Sequence, residues 1–166
     1  IRSPIKGVAW YSKGLYNNGS HLVNLLQYWL GDVTGFKVVS RGRDWEGTDP
    51  EPDLEICFES GNVFLFAARE EDYSHYTLEL IAPNGRLRYE YGGERIIWQN
   101  AVRDPHYDGY ITLSQDEEYI LSDILRSQWN VAKQLALSIN GQECNICTGA
   151  DGLKTLELLE SIRTML

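Results

Sequence analysis

Apolar residues recur with helical spacing near the start of the chain, in "GLYNNGSHLVNLLQYWLGD" (residues 14–32). Their positions follow i, i+3, i+4, i+7 and i+8, which predicts a helix with one core-facing side that ends at Gly31: Leu22, Leu25, Leu26, Trp29 and Leu30. A second stripe lies nearly opposite and carries no charge: Asn17, His21, Asn24 and Tyr28. A helix face that only contacts water usually carries Glu and Lys, and this one carries neither. The neutral stripe therefore predicts the floor of a polar pocket, or a polar patch against another helix or subunit.

The middle of the chain alternates between apolar and polar residues, which predicts strands. Residues 36–40 form the first such segment, and residues 41–52 are interpreted as a polar loop because turn-forming residues interrupt the pattern. Residues 54–58, 62–68, 76–82, 86–91 and 94–100 follow, with short turns between them. These turns are typical of hairpins and therefore predict antiparallel neighbours.

Two helices are predicted at the end of the chain. Ser114 and Glu117 have the spacing of a capping box, and apolar residues at helical spacing follow over residues 121–139. Thr148 and Asp151 begin the last helix. The predicted fold is therefore α+β, with a largely antiparallel sheet, helices on one face, and the other face open for assembly. The apolar residues expected to drive this association, as dimers or higher oligomers, are Leu87, Tyr89, Tyr91, Ile96, Ile97 and Trp98.

Composition narrows the class of protein. The 166 residues suit a single domain, and a net charge of −9 disfavours nucleic acid as a partner. No apolar run is long enough to predict a membrane helix and no segment resembles a signal peptide, so we expect a cytoplasmic protein. The one methionine is Met165, so we expect a domain cut from a longer chain, although a processed or tag-cleaved form would also lack an initiator.

The three cysteines do not indicate a disulfide framework. Cys57 falls in an alternating strand and is interpreted as a small buried apolar residue. Cys144 and Cys147 form a CxxC, but a second CxxC is missing and the pair lies in a connector, so a structural role is favoured over metal or redox chemistry. No GxGxxG or GxxxxGK[ST] motif is present, so we expect neither a phosphate cradle nor a cofactor site in this chain alone.

Residues 14–32 resemble a segment of the Gfo/Idh/MocA oxidoreductases, G-x-L-x-D-x-G-x-H-x-x-D-x-x-x-x-x-x-G. The matching positions are Gly14, Leu15, Gly19, His21 and Gly31. The strand meander, the "PNGRLRY" hairpin and the closing "GADGLKTLELLESI" are also similar to this family. The resemblance covers most of the chain and is confined to the family's C-terminal domain. It implies an α+β domain that binds sugars, polyols or sugar nucleotides, joined to an N-terminal Rossmann domain that binds NAD or NADP and is absent here.

The resemblance implies that His21 is the acid/base for a substrate hydroxyl, because an imidazole can exchange protons near neutral pH. Asn17 occupies the position of the family's aspartate, and Asn24 replaces its second acidic residue. An amide can hydrogen-bond a hydroxyl but carries no charge. Either His21 acts without a carboxylate, or the site binds sugar and its chemistry has changed.

Tyr11, Lys13 and Tyr16 precede the helix and are predicted, with Asn24, to bind substrate. Without its dinucleotide domain the chain is expected to be inactive. The alternative function is a free-standing, non-catalytic module that binds a carbohydrate or holds a complex together.

Overall fold

The computed structural model describes residues 1–166, which form nine strands and three α-helices around one mixed sheet. The strands are β1 (Ile5–Tyr11), β2 (Val33–Trp45), β3 (Asp49–Phe58), β4 (Gly61–Ala67), β5 (Tyr76–Ala82), β6 (Gly85–Glu90), β7 (Arg95–Arg103), β8 (Ile111–Leu113) and β9 (Glu118–Ile120). The helices are α1 (Ser20–Leu30), α2 (Ser127–Ile139) and α3 (Gly149–Arg163).

The sheet has the order β2-β3-β4-β1-β5-β6-β7-β8, and β9 pairs with β7 beside β8. Only β1 and β4 run parallel, and every other pair is antiparallel. The predicted hairpins β3–β4, β5–β6 and β6–β7 are present, whereas β4 and β5 do not pair because β1 lies between them. The α+β fold with a largely antiparallel sheet is therefore confirmed.

The core lies between the sheet and two helices, α1 and α3. The apolar stripe of α1 faces inward, with Leu22, Leu26 and Leu30 fully buried. Leu159 and Ile162 of α3 join the same cluster, whereas Leu156 remains half exposed. The strands contribute alternate side chains to it: Ile5, Ala9, Tyr11, Leu54, Ile56, Phe58, Val63, Leu65, Leu78, Leu80 and Tyr89.

The prediction of a polar loop at residues 41–52 is wrong. β2 continues to Trp45, β3 begins at Asp49, and only a three-residue turn separates them. The guanidinium of Arg43 binds the Glu51 carboxylate at 2.7 Å across this hairpin and also binds Glu71. Glu51 is thereby buried with a charge partner. Cross-strand ion pairs replace apolar alternation here, which is why the pattern resembled a loop.

The capping box predicted at residues 114–117 does not form, and no helix begins there. Glu117 pairs instead with Arg88 of β6, and residues 118–120 become β9. The helix starts at Ser127, after a short 3₁₀ turn. An ion pair to the sheet thus competes successfully with a local cap.

Helix α2 turns its apolar side outward. Trp129, Leu135 and Ile139 are exposed, whereas Asn130 and Gln134 are half-buried. Gln134 accepts a hydrogen bond from the backbone N–H of Asn145 at 2.9 Å. The polar side of α2 therefore contacts the rest of the chain.

The open face of the sheet carries a different apolar set from the predicted one. Tyr89 is buried on the helix-covered face, and its cross-strand partner Ile96 lies on that face as well, as do Leu87 and Trp98. Ile97 alternates onto the open face but is fully buried, and Tyr91 lies in a turn beyond β6. The exposed apolar strip of this face consists of Trp10 and Ile81 together with the half-buried Phe64 and Phe66.

No helix combines the length and apolarity that a membrane crossing requires. Cys57 is half-buried on the open face rather than buried in the core, because its neighbours Ile56 and Phe58 take the core-facing positions of β3. The capping box of α3 is confirmed: the Thr148 hydroxyl accepts from Asp151 N–H, and the Asp151 carboxylate accepts from Thr148 N–H.

Candidate functional site

The histidine helix is entered through a π-helical turn, Gly14–Gly19, which leads directly into α1. Lys13, the residue before the turn, has a left-handed conformation with a φ of 65°, and its side chain does not cap the N–H groups of the turn. These N–H groups are bound by a neighbouring strand instead. Asp49 of β3 accepts from Tyr16 N–H at 2.9 Å and from Asn17 N–H at 3.2 Å. The helix is therefore capped by the sheet on which it packs.

Gly14 makes this close approach possible. Its φ of 85° lies in the left-handed region, and a Cβ there would overlap the Asp49 carboxylate. Its N–H donates to Glu51 at 3.1 Å. Two carboxylates of β3 thus fix the start of the segment that carries His21.

A cavity of about 510 Å³ lies over the neutral stripe of α1. Its floor is formed by α1, one wall by the connector between α2 and α3, and its rim by charged side chains at the ends of α1 and α3. The lining residues are His21, Asn24, Leu25, Gln27, Tyr28, Asp32, Cys144, Asn145, Ile146, Cys147, Asp151 and Lys154.

A second cavity of about 380 Å³ adjoins the first and shares His21, Asn24 and Cys147 with it. Its remaining lining residues are Tyr16, Ser20, Gly152, Thr155, Leu156 and Leu159. A third cavity, of about 430 Å³, lies elsewhere, beside Trp29, Leu87 and Trp98, and contains no predicted site residue. The candidate site therefore consists of the two adjoining cavities that His21 lines.

Thr155 connects the polar floor to α3. It is buried, and its hydroxyl accepts from Asn24 Nδ2 at 3.2 Å and donates to Gln27 Oε1 at 2.8 Å. Asn24 Oδ1 lies 3.6 Å from the thiol of Cys147. These contacts orient both amides and leave Gln27 Nε2 and one N–H of Asn24 free for a ligand.

Three of the six predicted site residues line these cavities: Tyr16, His21 and Asn24. Tyr11 does not, because it is fully buried in the core and its hydroxyl donates to Pro52 O at 2.6 Å. Lys13 is turned away and pairs with Glu70 at 3.1 Å.

Asn17 is exposed and lies outside both cavities, whereas His21 and Asn24 line both. The prediction placed Asn17 and His21 on one stripe by assuming α-helical spacing from residue 17. A π-turn advances fewer degrees per residue than an α-helix, so this phase does not hold across Gly19.

Tyr16 is held as a neutral phenol. Its hydroxyl donates to Glu160 Oε1 at 2.7 Å. Desolvation raises the pKa of Tyr16 to about 12, and the hydrogen bond to Glu160 acts in the same direction. The same bond, together with Arg163, lowers the pKa of Glu160. Tyr16 therefore offers lone pairs to the cavity.

The two helices that border the cavities have carboxylates at their N-termini. Asp49 caps the turn before α1. Desolvation raises the pKa of Asp49, and the backbone N–H groups that it binds oppose that rise. Asp151 serves α3, and the hydroxyl and N–H of Thr148 lower its pKa. Neither N-terminus is free to receive a phosphate, so the residues present do not fit the pyrophosphate of a dinucleotide.

His21 is exposed, and its imidazole makes no hydrogen bond within the chain. No three His, Cys, Asp or Glu side chains lie together as a metal site would require. The arrangement can bind hydroxyl groups through neutral amides and phenols, with one imidazole available for proton transfer.

Sequence reasoning missed Gln27, Asn145, Cys147 and Thr155 as cavity residues. Gln27 lies three residues after Asn24, so its position on the neighbouring flank of α1 could have been recognised. Thr155 offered no signal, because its partners lie more than 120 residues away in the sequence.

No family model matches the chain, and no curated protein matches its sequence. Solved structures do match its fold. UDP-N-acetylglucosamine 3-dehydrogenase GnnA from Acidithiobacillus ferrooxidans has a TM-score of 0.62 and 11% identity, over 95% of this chain and 53% of its own. The WlbA dehydrogenase from Bordetella pertussis, solved with NADH and UDP-GlcNAcA, has a TM-score of 0.61 and 14% identity, over 96% and 51%.

Aldose-aldose oxidoreductase from Caulobacter crescentus, solved with glycerol, has a TM-score of 0.64 and 14% identity, over 97% of this chain and 53% of its own. The chain thus spans about half the length of these structures. The resemblance to the C-terminal domain of Gfo/Idh/MocA oxidoreductases is confirmed at the level of the fold.

Proposed function

We propose that the chain is the substrate-binding and oligomerising domain of an NAD(P)-dependent oxidoreductase that acts on a sugar, polyol or sugar nucleotide. The observation that carries this proposal is the polar cavity over α1, in which His21 lies among oriented, uncharged amides. The fold, shared with sugar and sugar-nucleotide dehydrogenases, supports it. A cytoplasmic location fits this function.

In this proposal His21 moves the proton of the substrate hydroxyl, while Asn24 and Gln27 hold neighbouring hydroxyls through their free N–H groups. Tyr16 accepts a further hydrogen bond from the substrate, since its own proton is committed to Glu160. NAD or NADP, bound by an N-terminal Rossmann domain, would supply the hydride chemistry.

The test uses the two-domain protein. His21→Ala should lower kcat by about 100-fold or more, the usual effect of losing a positioned acid/base, and should leave cofactor affinity unchanged. Glu157→Gln, an exposed change on α3, serves as the control. Unchanged kcat in the His21→Ala variant would remove the catalytic assignment.

Calorimetry on residues 1–166 alone tests whether cofactor binding belongs to a separate domain. NADH and NADPH should bind with dissociation constants well above the micromolar range, because no phosphate cradle is present. Micromolar binding by this chain would contradict the proposed role of a separate Rossmann domain.

One observation favours the alternative, a non-catalytic carbohydrate-binding or scaffold module. No carboxylate orients His21, and Asn17, at the position of the family's aspartate, lies outside the cavity. Catalytic histidines are usually held by a third group. Sugar binding at the cavity without turnover in the two-domain protein would support this alternative.

The open sheet face supports self-association. The rings of Trp10 and Phe66 are tilted towards each other with centroids 5.4 Å apart, and Phe64 stacks on Phe66 with centroids 6.2 Å apart. Trp10 and Ile81 are about half exposed. Burial of such a strip against a second copy contributes roughly 25 cal/mol per Å². We therefore include a homo-oligomer in the proposal.

A further inference from the structure

We infer that the cavity over α1 selects uncharged polyhydroxy ligands and rejects their phosphorylated forms. The inference rests on the proposed function and narrows its substrate class. It follows from the pairing of Lys154 with Asp32 and from the carboxylates that cap the helix N-termini beside the cavity.

The cavities contain few charges, and these are unfavourable to an anion. The larger one is lined by two carboxylates, Asp32 and Asp151, and one ammonium group, Lys154. The smaller one is lined by no charged residue. A phosphate placed over α1 would therefore meet more negative than positive charge.

Lys154 is the only cation in the lining, and it is paired. Its Nζ lies 3.1 Å from Asp32 Oδ1 and 3.5 Å from Oδ2. The backbone N–H of Asp32 is bound in turn to Glu59, which brings a further carboxylate to this side of the rim. A phosphate bound to Lys154 would lie close to the Asp32 carboxylate, which repels it.

Two cations on the segments that precede α1 and end α3 are also paired. Arg163 binds Glu160 at 2.8 Å, and Lys13 binds Glu70 at 3.1 Å. The N-terminus of α3 already holds the Asp151 carboxylate, which binds Thr148 and would repel a second anion there. The imidazole of His21 thus remains the one basic group of the lining without a partner.

Uncharged hydroxyls find suitable partners on the same surface. Gln27 Nε2 and the second N–H of Asn24 are free donors, held in place because Thr155 binds Gln27 Oε1 and the first N–H of Asn24 Nδ2. A hydroxyl can donate and accept at once, so it can bind such groups without bringing a charge into the cavity.

Matched ligand pairs test the inference on residues 1–166. Glycerol, myo-inositol and glucose are titrated against glycerol 3-phosphate, myo-inositol 1-phosphate and glucose 6-phosphate, and the amide signals of residues 21–28 and 144–155 are followed by NMR. The expected result is a saturable shift with at least one neutral ligand and at least tenfold weaker binding of its phosphate. Because exposed charges are screened, 0.5 M NaCl should reduce this difference.

Asp32→Asn sharpens the test. It frees Lys154, so the ratio of glucose affinity to glucose 6-phosphate affinity should fall at least threefold relative to the unaltered chain. Glu94→Gln, at an exposed position in the turn between β6 and β7, is the control and should alter neither affinity.

The outcomes separate this inference from the proposed function. Phosphates that bind these amides as tightly as their neutral partners, or more tightly, would overturn the selectivity and leave a sugar site intact. If no ligand of either kind shifts these signals, both the site and its selectivity are refuted.

Discussion

The Asp49 carboxylate accepts a hydrogen bond from the backbone N–H of Tyr16 at 2.9 Å, which joins β3 to the turn that begins the histidine helix. The two residues are 33 positions apart, and Asp49 belongs to the segment whose sequence resembles a loop. The position of His21 over the cavity therefore depends on a carboxylate from the sheet.

Replacement of Asp49 by Ala should remove this cap. The expected loss in the free energy of unfolding is about 1 kcal/mol, typical of a lost helix cap. Asp44→Ala, an exposed carboxylate in the same hairpin, should change the stability by less than about 0.5 kcal/mol. Urea denaturation measures both, and equal stabilities for the two variants would show that the cap contributes nothing.

Thr155→Val should break the hydrogen bonds between α3 and the polar side chains of α1 and so lower the stability of the fold. It removes the hydroxyl that binds Asn24 and Gln27 and leaves both amides short of a partner, at a cost of about 1–3 kcal/mol. Thr155→Ser keeps the hydroxyl and should retain most of the stability and the ligand-induced shifts of the α1 amides. A Val variant as stable as the Ser variant would contradict this role.

Tyr16 should titrate unusually late. Because its pKa rises from 10.0 to about 12 on folding, its contribution to stability is complete below pH 10 and is lost as the pH rises through about 12. Glu160→Gln should lower the pKa of Tyr16 only in part, since desolvation is the larger cause. Glu157→Gln should not change it.

Tyrosine ring-carbon NMR, assigned with a Tyr16→Phe variant, reports this titration. A Tyr16 signal that moves with a midpoint near pH 10 would show that the phenol is neither desolvated nor bound to Glu160 in solution.

The open sheet face should control assembly. Trp10→Glu places a charge in the exposed strip and should shift the protein towards monomer in light scattering across a concentration series. Tyr107→Glu, at a more exposed aromatic position beyond β7, should leave the assembly unchanged. Circular dichroism confirms that both variants remain folded. The same mass distribution for the unaltered chain and the Trp10→Glu variant would exclude this face as the interface.

Much of the fold follows from patterns within one segment. The apolar stripe of α1 has its predicted burial, since residues at helical spacing share one side wherever the helix lies. The hairpins of β3–β4 and β5–β6–β7 follow from alternation and turn residues, which are equally local. The Thr148–Asp151 capping box formed as expected because both partners belong to one turn.

Tertiary structure decided the features that depend on partners far apart in the chain. The ion pair between Arg43 and Glu51 joins two strands within a polar stretch of sequence. The ion pair between Arg88 and Glu117 forms in place of the predicted helix cap. The cavity likewise required Thr155 to meet Asn24 from another helix. A sequence pattern reports periodic burial, whereas the free energy of an ion pair or a buried hydrogen bond depends on which distant groups the fold brings within reach.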